Sequence, residues 1–295
     1  MKSIIAIFFF NSISYAQSIV VNEVTFGKNI KSIHLIDTCK ARNEKYFFDK
    51  KGRVEKMLYN DDESGRIIYK YNQNDNLIEE TYFRGDSIFV SALYKYDGEN
   101  IISFKEIIYS KLKGEEIYSY ENGKLKELKH YNEGKLSQTQ VYSYDNNEKT
   151  IKNLDESGEV LGYTKEFEKD GAMITEYTSL DKKYPHKYTI IEKKDDNKRV
   201  LEYRTLDSYG NEEKSIFSYN AYGILSLKND YHHNNLIQQT FYDNKANVIR
   251  VKKYFNSQTD HQSINIYNIR EDLIESRIFE NNIFLCSIKY GIEYW

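Results

Sequence analysis

The stretch that decides the fold is residues 117–143, IYSYENGKLKELKHYNEGKLSQTQVYS. It contains one short motif twice: an aromatic residue, a polar turn with Asn and Gly, and an apolar strand. Tyr144-Asp145 then begins the motif again. Aromatic residues favour half-buried strands, and Asn and Gly tolerate the positive φ of tight hairpin turns. The stretch therefore predicts one β-hairpin after another.

The motif continues in both directions with a regular period. In the motif, an aromatic residue closes a strand just before a turn, and we call it the aromatic marker. It recurs with a mean spacing of about 24 residues, within the range of stacked supersecondary units. The unit around Ile191-Glu192 lacks this aromatic residue. We expect the aromatic residues to form the packing spine of the repeat, and a carbohydrate-stacking surface is the alternative. The spine consists of Phe48, Tyr71, Tyr96, Tyr120, Tyr144, Phe167, Tyr219, Tyr242, Tyr267 and Tyr290.

The composition points to an all-β protein. The 295 residues include 28 Tyr and 15 Phe but one Pro, so strand after strand can keep its backbone N–H donors. The period predicts an antiparallel meander of about twenty strands built from hairpin repeats. Neighbouring strands rotate by roughly 20°, and open sheets rarely exceed about ten strands. We therefore expect the sheet to coil into an open spiral or to roll into a tube.

Residues 1–16, MKSIIAIFFFNSISYA, are typical of a secretory signal peptide. Lys2 provides the positive start, Ile4–Phe10 the apolar segment, and Ala16 the residue before the predicted cleavage point. A buried N-terminal strand is the alternative. This apolar segment is too short to span a bilayer, and no later one reaches eighteen residues. The sequence predicts an exported protein, located in the periplasm, on the cell surface or outside the cell, with no integral membrane span.

The remainder divides into two parts. Residues 17–44 contain two apolar runs that diverge from the repeat, which suits cap strands over an open sheet edge. Residues 45–295 form the predicted repeat domain. The repeat pattern is least regular at about 180–215, where the aromatic marker is absent and the only proline, Pro185, occurs. We interpret this region as a degenerate unit with an extended loop, and a domain boundary is the alternative.

Two cysteines, Cys39 and Cys286, occur near opposite ends of the chain. We expect two buried free thiols. A disulfide bond between the first and last strands is the alternative.

The charge pattern argues against a nucleic-acid partner. The formal net charge is −3, from 45 acidic and 42 basic residues, and both signs are mixed along the chain. Aromatic residues interleaved with lysines could stack bases, but glutamates match the lysines in the same strands. The basic stripe of a nucleic-acid-binding surface is therefore missing.

The sequence contains no motif that predicts catalysis or metal binding. His232-His233 lies in a turn, and neighbouring strand residues point to opposite faces. Residues 60–65, NDDESG, resemble the start of a calcium loop, but Tyr71 stands where the closing carboxylate is required. Acid pairs such as Asp195-Asp196 are frequent and solvated, so none of them indicates a site. A glycosidase-type pair of acids that are distant in sequence and meet only in the folded chain is the alternative that the sequence leaves open. We expect no enzyme activity, no cofactor and no metal.

The repeats resemble those of the Rhs, or tyrosine–aspartate (YD), family. Tyr96-Asp97-Gly98, Tyr144-Asp145, Tyr242-Asp243 and residues 219–225 match its signature of Tyr with Asp or Asn, a short turn and an aliphatic residue. The doubled YENGKLKE and YNEGKLSQ are similar to the bacterial MORN-like variant. The resemblance covers about residues 45–292. It implies curling β-sheet shells, which in the Rhs family often enclose a toxin domain, or scaffold, membrane-associated and antitoxin-type roles.

These features predict a secreted, non-enzymatic repeat scaffold. It would present an extended surface to a protein or to a cell-surface glycan. The alternatives are an encapsulating Rhs-like shell and an outer-membrane β-barrel. A membrane barrel needs an uncharged lipid-facing stripe, but Arg250 and Lys252 share one predicted strand face while Lys253 lies on the other.

Overall fold

A computed structural model describes residues 19–21, 24–26, 29–60, 62–180, 186–255 and 258–295. The regular elements in these ranges are all β-strands. Their bounds are β1 (Ile19–Val21), β2 (Val24–Phe26), β3 (Ile30–Asp37), β4 (Arg42–Phe48), β5 (Val54–Tyr59), β6 (Asp62–Tyr71), β7 (Leu77–Arg84), β8 (Ser87–Asp97), β9 (Asn100–Ile108), β10 (Lys111–Glu121), β11 (Lys124–Asn132), β12 (Lys135–Asp145), β13 (Glu148–Asp155), β14 (Val160–Lys169), β15 (Ala172–Ser179), β16 (Lys187–Lys194), β17 (Val200–Asp207), β18 (Glu212–Tyr219), β19 (Leu225–His232), β20 (Asn235–Tyr242), β21 (Val248–Phe255), β22 (Gln258–Tyr267), β23 (Leu273–Glu280) and β24 (Ile283–Tyr294).

Strands β3 to β24 form one closed antiparallel barrel of 22 strands. Each strand pairs with the next along the chain, and β24 pairs with β3, with Tyr290 opposite Leu35. The prediction of a meander of about twenty strands is confirmed. The open spiral is wrong, because pairing of the first and last barrel strands satisfies both edges that a spiral would leave free.

One type of turn explains why Asp or Asn so often follows the aromatic marker. In the turn after Tyr219, the Asn220 side-chain Oδ1 accepts hydrogen bonds from the backbone N–H groups of Tyr222, at 2.9 Å, and Ile224, at 3.0 Å. Such a side chain imitates a backbone turn and fixes the loop locally. The same pair of bonds occurs in the turns that begin at Asp49, Asn72, Asp155, Asp195, Asp207, Asp243 and Asn268.

A second type of turn connects strands through two residues. At the β10–β11 turn, Asn122 and Gly123 have φ values of 52° and 75°. Two successive positive φ values match the right-handed twist of the flanking strands, which is why Asn-Gly is favoured there. The doubled ENG and NEG turns of the central stretch are of this kind. Local turn chemistry thus fixes the hairpins.

The parts outside the regular repeat are placed as follows. The predicted signal peptide, residues 1–16, lies outside the described residues and stays a prediction. Within residues 17–44, β1 and β2 form a separate two-stranded sheet, whereas β3 is a barrel strand. In the predicted degenerate unit, β16 pairs with both β15 and β17. The sheet therefore runs through this region, although Pro185 lies outside the described residues.

The two cysteines form a disulfide bond, so the expectation of two free thiols is wrong. Pairing of β24 with β3 places Cys39 and Cys286 opposite each other two residues beyond the last ladder pair, Asp37 with Ile288, and their Cα atoms are 5.4 Å apart. The bridge therefore lies on the seam of the barrel. The main hydrophobic core lies beside the same seam and includes the fully buried Ile30, Ile33 and Leu35 of β3.

Candidate functional site: the tyrosine face of the barrel wall

The register divides the wall into two faces. Residues directly opposite each other in paired strands share a face, as do alternate residues along a strand. Followed around the barrel, these rules place one set of spine residues together, and we call this side the tyrosine face. The set consists of Phe48, Tyr71, Tyr96, Tyr120, Tyr144, Tyr219, Tyr242, Tyr267 and Tyr290.

Phe167 lies on the opposite face. Tyr142 pairs with Ile151, and Ile151 pairs with Thr164, so Thr164 and Glu166 belong to the tyrosine face and Phe167 does not. A regular unit has a bulge beside each of its two hairpin turns, as the unit between Tyr71 and Tyr96 does. The unit before Phe167 has a bulge beside its second turn only. Since each bulge adds a residue to one strand, the missing bulge exchanges the faces.

The hydroxyl groups of several spine tyrosines hold the wall together. Each donates a hydrogen bond to a backbone carbonyl in the strand that precedes its own. A buried ring with a satisfied hydroxyl combines apolar packing with a directional bond. The pairs are Tyr71 with Val54 at 2.8 Å, Tyr120 with Ile101 at 3.0 Å, Tyr144 with Leu125 at 3.0 Å, Tyr219 with Val200 at 2.8 Å and Tyr267 with Val248 at 2.8 Å.

Turn cations cover some of the same rings. The Arg53 guanidinium carbon lies 4.4 Å from the centroid of the Tyr71 ring, and that of Arg199 lies 4.9 Å from the Tyr219 ring. Cations at this distance are attracted to the negative face of an aromatic ring. Burial raises the pKa of Tyr71 to about 12. Tyr71 is therefore a neutral part of the wall.

One ionised group on the tyrosine face is fully engaged by its neighbours. A Glu116 carboxylate oxygen lies 3.2 Å from His130 Nδ1, and the other accepts a hydrogen bond from the Tyr118 hydroxyl. The hydrogen bond with His130, supported by that with Tyr118, lowers the pKa of Glu116. Because both oxygens already have partners, this cluster ties strands β10 and β11 together.

We call the other side of the wall the lysine–glutamate face, since lysines and glutamates pair across its strands. Lys105 on β9 lies 2.9 Å from Glu115 on β10, and Lys70 on β6 lies 3.0 Å from Glu79 on β7. Such pairs at an exposed surface contribute little to stability. Their main consequence is that this face is charged.

The other candidate sites of the sequence lie at strand ends: His232 ends β19 with His233 in the turn after it, and Asp62 begins β6. His232 is exposed and lies 3.9 Å from Glu213, and the His233 ring is within 3.1 Å of the Asn211 side chain. In the NDDESG segment, Asp61 lies outside the described residues. Among the described residues, no three His, Cys, Asp or Glu side chains are grouped as metal ligands. In the same part of the chain, no helix is long and apolar enough to cross a membrane.

Comparison with known proteins finds similarity to solved structures. No protein-family model matches the chain, and no curated protein matches it. A porin-like protein from Bacteroides uniformis shows 11% identity and a TM-score of 0.36, over 90% of this chain and 97% of that one. The structure of TcdB2-TccC3-TEV shows 10% identity and a TM-score of 0.21, over 84% of this chain and 17% of that one. At these scores neither structure indicates what this chain binds.

Proposed function

We propose that the protein is an exported, non-enzymatic hollow β-barrel that works by sheltering or binding a partner in its interior. The observation that carries this proposal is the pairing of β24 with β3. An open repeat scaffold offers its partner a long surface and two free edges, whereas a closed wall offers an interior. Closure thus favours a barrel over the open scaffold predicted from the repeats.

The size of the barrel supports a hollow interior. A circular barrel of 22 strands is roughly 40 Å across at ordinary strand spacing and tilt. The accessible surface of the chain is 19750 Å². A compact protein of 35.1 kDa would expose roughly 13,000 Å². The excess fits a wall wetted on both sides.

We assign the tyrosine face to the interior. Among the described residues, the buried hydrophobic side chains lie on this face with the exceptions of Leu58 and Ala172. The concave side of a curved wall crowds its side chains together, while the convex side spreads them apart. The lysine–glutamate face would then meet the surrounding water.

Charge favours a soluble shell over a membrane barrel. A lipid-facing wall needs an apolar band about 25 Å tall. Lys105 and Glu115 interrupt one face in mid-strand, and Glu80 and Glu116 interrupt the other. Burying such charges in lipid is costly. The favoured form is therefore a shell in aqueous surroundings, in line with the encapsulating role that the Rhs resemblance implies.

An outer-membrane barrel is the second candidate. Two observations favour it. The barrel is an antiparallel meander with an even number of strands. Its strands have 8 to 12 residues, except for the shorter β4 and β5. Bacterial outer-membrane barrels share both properties. The charges on both faces count against it.

Detergent phase partition of the exported protein tests the proposal. The soluble shell should stay in the aqueous phase, remain soluble without detergent, and give the small-angle X-ray scattering of a hollow particle. Recovery in the detergent phase, with aggregation once detergent is removed, would establish the membrane barrel instead. A solid, compact scattering profile would contradict both forms.

A further inference from the structure

A cleft opens in the tyrosine face where the repeat is least regular. It has a volume of about 560 Å³ and is lined by residues of β12 to β16 and by His186, which directly precedes β16. This is the region after Tyr144 in which the faces exchange and the aromatic marker fails at Ile191. The irregular units therefore replace part of the aromatic packing with a concave surface of a size typical for small-molecule sites.

One side of the cleft is built from uncharged polar side chains. Gln138, Gln140, Asn153 and Thr164 line it and all belong to the tyrosine face. The Tyr142 hydroxyl donates a hydrogen bond of 2.7 Å to Gln140 Oε1. This bond orients the amide, so that its nitrogen is left to donate. Planar amides and a hydroxyl together offer both donors and acceptors.

The other side is a flat aromatic platform. The rings of Tyr177 and Tyr188 stack with centroids 4.9 Å apart and planes 25° apart. Elsewhere on the tyrosine face, Tyr59 and Tyr82 meet edge to face at 81°. Stacked rings offer a broad apolar surface, whereas edge-to-face pairs fill space within a core.

One position in the wall beside the cleft is a glycine, Gly162. Gly162 is buried and pairs with Asn153 on one side and Ser179 on the other. A Cβ atom at this glycine would lie 2.5 Å from the Thr178 backbone oxygen. Only glycine permits this approach of the two strands, which brings the polar side and the aromatic side together.

We infer that this cleft binds a neutral saccharide. Sugar hydroxyls match the amide and hydroxyl groups of Gln138, Gln140 and Asn153, and the apolar face of a pyranose ring matches the platform of Tyr177 and Tyr188. The residues that line the cleft include no lysine, arginine, aspartate or glutamate, and His186, whose ring lies beside those of Tyr177 and Tyr188, is the one basic side chain among them. This lining favours a neutral ligand over a charged one. The inference needs only the barrel wall, so it stands or falls separately from the shell proposal.

Isothermal titration calorimetry of the full chain tests the inference, with cellohexaose, xylohexaose, mannohexaose, maltohexaose and chitohexaose as neutral probes. At least one probe should bind. Tyr177→Ala and Tyr188→Ala should each weaken that binding by about tenfold or more. Tyr203→Ala is the matched control, because Tyr203 shares the tyrosine face and is 38% exposed but does not line the cleft.

A second variant guards against loss of the fold. Gln138→Ala removes a half-buried amide and should weaken the same binding while the circular dichroism spectrum stays unchanged. The inference is overturned if none of the five probes binds. It is also overturned if Tyr203→Ala weakens binding as much as Tyr177→Ala, or if only a charged oligogalacturonate binds.

Discussion

Removal of the seam disulfide should destabilise the barrel more than any other single change at its surface. Cys39 follows β3, and Cys286 lies in β24, the two strands that close the sheet. The bridge continues a ladder in which the Thr38 backbone N–H donates to the Ser287 carbonyl at 3.1 Å. The double variant Cys39→Ser/Cys286→Ser keeps this hydrogen bond but removes the covalent link, so the unfolded chain regains the conformational entropy that the disulfide takes from it.

The expected magnitude follows from the length of the closed loop. The two cysteines are 247 residues apart. The chain-entropy model gives about 4.7 kcal/mol for a loop of 100 residues, and this value rises with the logarithm of loop length, so roughly 5.5 kcal/mol is expected here. This is an upper value, because residual structure in the unfolded chain reduces it. A loss of that size is comparable with the whole stability of many domains.

Urea unfolding followed by far-ultraviolet circular dichroism measures the effect. The unfolding midpoint of the native chain should fall on addition of a reductant, and that of the double variant should be equally low with or without reductant. The reasoning is refuted if the reductant leaves the native midpoint unchanged. It is also refuted if two thiols react in the unreduced, denatured protein.

Three further predictions follow from the wall and its turns. Phe48→Ala removes a side chain that is 1% exposed and should cost about 3–5 kcal/mol of unfolding free energy. Tyr144→Ala removes one that is 40% exposed and should cost distinctly less. Urea midpoints that reverse this order would contradict the assigned packing. Asn220→Ala removes the acceptor of two backbone N–H groups and should cost about 1 kcal/mol in the same assay. Asp145→Ala, at the end of β12 just before a two-residue turn, should stay within about 0.5 kcal/mol. From neutral pH to pH 10.0 the buried tyrosines should leave stability unchanged, and stability should fall as the pH rises towards about 12, because the unfolded chain then loses phenolic protons that the folded wall retains. Unfolding midpoints and ultraviolet titration of tyrosinate check this, and tyrosines that all titrate near their unfolded value would contradict it. The tyrosines whose pKa burial raises to about 12 are Tyr71, Tyr94, Tyr142 and Tyr290.

The hairpins could be predicted because their causes are local. Asp or Asn after an aromatic marker and Asn-Gly within a turn fix each connection through contacts a few residues apart, as at Asn220 and Gly123. Closure has no such signal. It depends on β3 meeting β24 across the whole length of the chain, and two apolar runs at residues 17–44 look alike whether they cap an edge or complete a barrel. For the same reason the sequence could not decide between two free thiols and the disulfide bond that was their alternative.

The candidate cleft shows a second limit. The period of the aromatic markers gives the strands, but the face of a marker depends on the number of bulges before it. Phe167 fits the period and yet lies on the opposite face. The failing marker at Ile191 was a signal that the packing changes there, and Gln138 with Gln140 places amides at spine-face positions. Only the assembled register brings these amides next to Tyr177 and Tyr188.

Cross-linking across the seam tests closure of the barrel most directly. Ile36 and Lys289 lie opposite each other in β3 and β24. The test uses a chain whose native cysteines are replaced by serine and which carries Ile36→Cys/Lys289→Cys. This variant should form an intramolecular disulfide on mild oxidation. Peptide mapping by mass spectrometry should find the linked pair. The control variant Ile36→Cys/Lys165→Cys, with β14 across the barrel from β3, should stay unlinked. A seam pair that remains unlinked under the same oxidation would contradict the closed barrel.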